Sequence, residues 1–132
     1  MADNRNDKEL DQGKRPVFEL RIPKKLDFVF GVDEVYSYDK STILAGQIFQ
    51  GRVAPGAIVS YGEIGPKKEP VEFFACFVSN VQVPNEKTKT METVQSAFHD
   101  GAMGGRCALV IAERDAKFFK PGGIVFTSKE QK

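Results

Sequence analysis

The sequence predicts an all-β domain, six or seven short strands forming a closed barrel or sandwich. Apolar residues recur at period two in several separate runs, and glycine and proline punctuate the gaps. Only one segment carries helical spacing. At 132 residues the chain is long enough for one buried core and too short for a catalytic domain plus a second module. With 41% apolar residues and 11 Phe, it has enough apolar surface to offset chain entropy and fold.

Residues 1–16 mix Asp, Asn, Lys, Arg and Gln without periodicity and read as a flexible leader ending at Pro16. Val17, Phe18, Leu20 and Ile22 suit a first strand or an extended arm, stopped by Pro23 and the Lys24–Lys25 pair. Leu26, Phe28, Phe30 and Val32 alternate with Asp27, Val29 and Gly31, and the run continues through Val35, Tyr36 and Tyr38 to a polar turn at Asp39, Lys40 and Ser41. Thr42 to Phe49 is β-branched and aromatic, which favours strand over helix. Gly51, Pro55 and Gly56 close it with turn chemistry.

Ala57–Tyr61 is a short strand, followed by a polar loop with Lys67, Lys68 and Glu69 at its tip. A long strand comes next, in which Val71, Phe73, Ala75, Phe77, Ser79, Val81 and Val83 share one face, read as its thoroughly apolar side. Over residues 85–100, Met91, Val94 and Phe98 fall three and four apart behind Thr88 and Thr90, so a short helix or helical turn is expected there. Gly101, Gly104 and Gly105 form a hinge before the apolar strand Cys107–Ala112. Pro121, Gly122 and Gly123 precede a last strand at Ile124–Thr127. The organisation expected is a leader (1–16), one barrel domain (17–128) and a polar tail (129–132).

Charge narrows the partners. Lys plus Arg number 19 against 18 Asp plus Glu, so the chain lacks the basic excess that nonspecific nucleic-acid binding leaves in composition. The leader does not hide one, because Arg5, Lys8, Lys14 and Arg15 balance Asp3, Asp7, Glu9 and Asp11. No signal-peptide core and no stretch near the roughly 18 apolar residues of a membrane span occurs, so a cytoplasmic location without membrane contact is expected. Cys76 and Cys107 sit in apolar runs with no Cys or His at metal-ligand spacing, which suits buried reduced thiols.

The order of residues from Phe28 to Val59 resembles the opening of domain II in the elongation factor Tu family of translational GTPases. That family reads F-x-x-P-V-E-D-V-F, G-R-G-T, V-V-T-G-R-V and V-G-D-x-V. Phe28 opens the segment here, Gly31 stands at the proline, and Val32, Asp33, Glu34, Val35 and Tyr36 follow in step. Thr42–Ile48 keeps the threonine and Gly46, and Pro55–Val59 matches the next turn and strand. Met103–Leu109 corresponds to A-G-D-x-V-G-L, and Gly122–Val125 to the closing G-D-V. The likeness spans residues 26–127 and implies a closed six-stranded Greek-key antiparallel barrel. The departures are Asp39–Ser41 for G-R-G, and Ala57, Gly105 and Gly123 for three aspartates.

In that family part of the pocket for the aminoacyl end of tRNA lies on domain II. Carried over by position, the implied binding residues are Asp33, Glu34 and Tyr36, with Ala45 in place of a threonine and Arg106 in place of an asparagine. The phosphate cradle G-x-x-x-x-G-K-[ST] and the guanine-reading N-K-x-D are missing from the sequence, so GTP is not expected to bind this chain.

Other chemistry reads weakly. His99, the single histidine, stands beside Asp100 with no assignable nucleophile and suits a solvated loop; a metal site is not expected. Glu34–Ser37 matches the Tyr-Ser of the flavin motif R-x-Y-S but puts an acid where arginine must meet phosphate. Lys117, Phe118, Phe119 and Lys120, with Arg114, form the best candidate RNA contact. The reading favoured is a non-catalytic module, with no cofactor, that contacts a protein or ribonucleoprotein partner. The alternatives are a small-molecule or cofactor-binding barrel and an RNA-binding protein.

Overall fold

The computed structural model describes residues 17–38, 40–85, 87–99, 102–112 and 115–128. The leader and tail expected at 1–16 and 129–132 lie outside the described residues. In chain order the strands are β1 (Leu26–Tyr38), β2 (Ser41–Gln50), β3 (Arg52–Val53), β4 (Ile58–Ile64), β5 (Pro70–Asn85), β6 (Thr90–Val94), β7 (Ala97–Phe98), β8 (Arg106–Ile111) and β9 (Ile124–Ser128). Short 3-10 turns occupy Ala102–Gly105 and Ala116–Phe118.

Six of these strands close a ring. The hydrogen-bonded order runs β4, β9, β1, β2, β8, β5, and β5 returns to β4, with every pairing antiparallel. Closure pairs the strand edges that an open sheet would expose. Phe28, Phe30, Val32, Leu44, Ile48, Val59, Val81, Leu109 and Val125 fill the interior. Alternation places Phe28, Phe30 and Val32 of β1 and Leu44 and Ile48 of β2 inward as the sequence pattern requires, whereas a register shift between Leu26 and Phe28 leaves Leu26 out of that set.

A second apolar cluster lies outside the ring. Leu26, Val29, Ile124 and Phe126 are buried although they face away from the barrel interior, because Phe18, Leu20 and Ile22 pack over them. The segment before β1 is therefore an extended arm and makes no ladder. The Arg21 amide donates to the Lys68 carbonyl at 2.6 Å, and Lys68 Nζ meets Glu19 Oε1 at 2.6 Å. The arm also accounts for Gly31, where a Cβ would lie 2.7 Å from the Phe49 ring and 2.9 Å from that of Phe18.

Two expectations are corrected. The described residues of 85–100 form no helix. The Asn85 side-chain oxygen accepts the amides of Lys87 and Thr88, and β6 folds back on β5 in register from Asn85↔Thr90 to Val81↔Val94. Thr90, Thr93 and Val94 favour this strand, β5 offers a long template, and the supposed helical face gains nothing, since Met91 and Phe98 stay exposed.

The second correction concerns β5. Its first half turns Phe74, Cys76 and Val78 inward, whereas Val71, Phe73 and Phe77 are exposed. A register shift between Val78 and Asn80 then reverses the parity, so that Val81 and Val83 face inward. Ile58, opposite Phe77 on β4, extends the outward apolar stripe, while Val59, opposite Cys76, is core. Ile58→Ser is accordingly expected to change urea-unfolding stability by less than about 1 kcal/mol, and Val59→Ser to cost about 3 kcal/mol. Equal losses would contradict the assigned faces.

Candidate functional site

The five residues singled out by resemblance come together on the outer face of β1, β2 and β8. A bulge in β1 makes this possible: Val32 pairs with Gly46 and Glu34 with Ala45, leaving Asp33 as the extra residue. The bulge brings Asp33 toward β8, where Arg106 Nη2 lies 3.8 Å from its Oδ2. This pair crosses over β2, so it ties three strands together on the surface. Glu34, Ala45 and Ala108 then lie in one row, with Tyr36, Ile43 and Val110 in the next. Two adjacent alanines keep the middle of the face low between longer side chains.

The Tyr36 hydroxyl donates to Glu34 Oε1 along the same strand. That hydrogen bond to the carboxylate, with lesser contributions from burial and the nearby negative charge, raises the Tyr36 pKa above its usual value. The phenol therefore stays protonated across the physiological range. Sequence reasoning missed Gln47, whose Nε2 donates to the Gly104 carbonyl at 2.8 Å and so holds the turn before β8 against β2. Its outward place in the β2 alternation, opposite Arg106, was the available signal. The result is a face of mixed charge with one half-exposed aromatic ring.

The second candidate group divides. Arg114 lies outside the described residues. Lys117 Nζ sits 5.5 Å from the centre of the exposed Phe118 ring. Phe119 is core, its ring 4.7 Å from Tyr61 and 5.5 Å from Phe74, so it offers no face to a ligand. The segment is a 3-10 turn, which turns adjacent rings in opposite senses. Lys120 donates its backbone N–H to the Tyr61 hydroxyl at 2.8 Å while its side chain remains outside. Burial raises the Tyr61 pKa, with the Lys120 backbone opposing it and the Glu63 charge adding to it.

Nucleophile chemistry finds little support in the geometry. His99 is exposed and held by its backbone, its N–H donating to the Gly51 carbonyl at 3.0 Å. No group of three or more potential metal-binding His, Cys, Asp or Glu side chains occurs among the described residues. Cys76 and Cys107 are buried and form no disulfide, and burial pushes the Cys107 thiol up to about 12. Such a thiol is almost wholly protonated at neutral pH, so its alkylation in the native protein is expected to track unfolding. Above its ordinary value of 9.0 the unfolded thiol loses its proton while the folded one keeps it until about 12. Stability is retained below pH 9 and falls as pH rises from 9 to 12, by up to about 1.4 kcal/mol per unit. Cys107→Ala should remove that component from urea titrations at pH 7 and 10.

The closed ring and its connectivity define a translation-factor domain II-like barrel. Among solved structures, the chain is similar to translation elongation factor SelB from Methanococcus maripaludis in its apo form, at 23% identity and a TM-score of 0.56, over 85% of this chain and 21% of that one. It is also similar to a bacterial selenocysteine-specific elongation factor, EF-Sec, at 25% identity and a TM-score of 0.53, over 78% of this chain and 15% of that one. This chain thus corresponds to about a fifth of the first and a smaller share of the second. No family model matches the sequence. No curated protein matches it either. Among the described residues no helix is long and apolar enough to cross a membrane.

Proposed function

We propose that this protein is a non-catalytic binding module, an elongation-factor domain-II-like barrel that contacts a protein or ribonucleoprotein partner of the translation apparatus through the outer face of β1, β2 and β8. The supporting observation is the convergence of Asp33, Glu34, Tyr36, Ala45 and Arg106 on that face, with the Asp33–Arg106 pair spanning three strands. The two solved structures named above are translation elongation factors. The face combines an aromatic ring, an arginine and a low floor, a composition suited to a polar interface with a small anchoring core.

The test is co-sedimentation with purified ribosomes and with each subunit, at fixed ionic strength, for the wild type and for Tyr36→Ala and Arg106→Glu. Association weakened at least ~10-fold in both variants, with melting temperatures preserved, is the expected result. Association that persists unchanged in both would remove this face from the interaction. No association at all would direct the search to a protein partner outside the ribosome.

A further inference from the structure

On the opposite part of the ring, a cleft of about 300 Å³ opens where the arm enters β1. Its walls come from the arm hinge at Pro23, Lys25 and Leu26, from Pro70 and Glu72 at the start of β5, and from Phe126 and Ser128 of β9. Glu69 stands at its rim and Ser60 at its base. It shares no residue with the β1–β2–β8 face.

Two features of this cleft are costly or idle without a ligand. Ser60 is only 4% exposed, and its hydroxyl has no hydrogen-bonding partner among the described residues. A buried hydroxyl left so is destabilising unless something entering the cleft meets it. Glu69 and Glu72 bring two carboxylates to the same opening, and neither has an ion-pair partner among the described residues. Apolar groups of Pro23, Leu26, Pro70 and Phe126 also line the cleft, the two prolines half-buried and Leu26 and Phe126 nearly covered. A bare metal ion has no use for those surfaces, and the described residues hold no cluster of three metal-binding side chains there.

We infer that this cleft receives a cationic side chain of a partner polypeptide, an arginine or a lysine, with its alkyl stem on Pro70 and Phe126 and its head between Glu69, Glu72 and Ser60. An alkyl stem carrying a charged head is the chemistry that satisfies apolar walls and carboxylates together. Ser60 accepts a hydrogen bond from the head, and the two carboxylates supply the opposing charge. Lys25, at the rim, sets a limit on how strongly the cleft attracts cations. It also makes the head's position, rather than net charge, the source of selectivity.

The experiment titrates the full chain with a capped Gly-Arg-Gly peptide and follows backbone amide shifts by nuclear magnetic resonance at physiological salt. The matched peptide carrying citrulline has the same shape without the charge. The expected result is saturable, millimolar shifts centred on Ser60, Glu72 and Phe126 for the arginine peptide, weakened at least ~10-fold for the citrulline peptide and for Glu72→Gln, and several-fold for Ser60→Ala. Glu72 is exposed and Ser60→Ala removes only a hydroxyl, so unperturbed spectra away from the cleft verify the fold of both variants. Equal response to the two peptides, no saturable shift, or an unchanged affinity in Glu72→Gln would overturn the assignment. So would calcium chloride shifting the same amides and displacing the peptide, since the cleft would then be a metal site.

Discussion

Gly46→Ala is expected to cost about 3 kcal/mol or more and to lower the melting temperature by roughly 10 °C, a large effect for a single added methyl. Gly46 lies in the middle of β2, paired with Val32 of β1 on one side and Cys107 of β8 on the other. A Cβ there would lie 1.9 Å from the Gly31 carbonyl oxygen and 3.0 Å from the Phe30 ring. The obstacle is backbone, held in ladders on both sides, so relief requires breaking strand pairing. Gly56→Ala is the control. Its Cβ meets nothing within 4 Å, but its φ of 95° strains any side chain, so a loss of only about 1–2 kcal/mol is expected. If thermal melts put Gly46→Ala at or below the cost of Gly56→Ala, the close approach of β1 and β2 is wrong. The consequence reaches the candidate site, because Gly46 sits between Ala45 and Gln47 and the same approach sets the bulge at Asp33.

The strands most legible in the sequence were those whose inward face carries a regular run of large apolar residues. The inward sets of β1 and β2 read correctly because Phe28, Phe30 and Val32, then Leu44 and Ile48, recur at period two as large apolar residues. β5 misled because both of its faces are apolar. With Phe73 and Phe77 competing against Phe74 and Cys76, period two alone does not say which set is buried, and the register shift near Ser79 is invisible to it. Residues 85–100 misled differently, since Met91, Val94 and Phe98 keep helical spacing while the decisive interaction is the Asn85 turn and pairing with a distant strand end. The site was legible only as a set of positions. That Asp33 reaches Arg106 depends on a bulge, and that Gln47 braces the turn at Gly104 depends on register between β2 and β8. The burial of Val29 was equally hidden, being the work of an arm that makes no ladder.

Phe118 and Phe119 are neighbours in sequence with opposite roles, and paired substitutions separate them. Phe119→Ala should cost about 3–5 kcal/mol, because its ring is buried at the end of the barrel and its removal leaves a cavity lined by Tyr61 and Phe74. Tyr61 adds to the loss: its hydroxyl accepts the Lys120 amide, and a ring free to tilt into the cavity would weaken that bond. Phe118→Ala removes a half-exposed ring that contacts Phe74 at 6.4 Å and lies under Lys117 at 5.5 Å, for less than about 1 kcal/mol. Urea unfolding reads both, and comparable losses would show that the 3-10 turn does not divide the two rings. The same pair discriminates an RNA contact at this end of the barrel. Stacking needs an exposed ring face, so retention on single-stranded RNA that depends on this group must fall in Phe118→Ala without loss of stability. Retention lost only in Phe119→Ala would instead report unfolding, and retention unaltered by Phe118→Ala would leave Lys117 and Lys120 as solvated charges beside a structural turn.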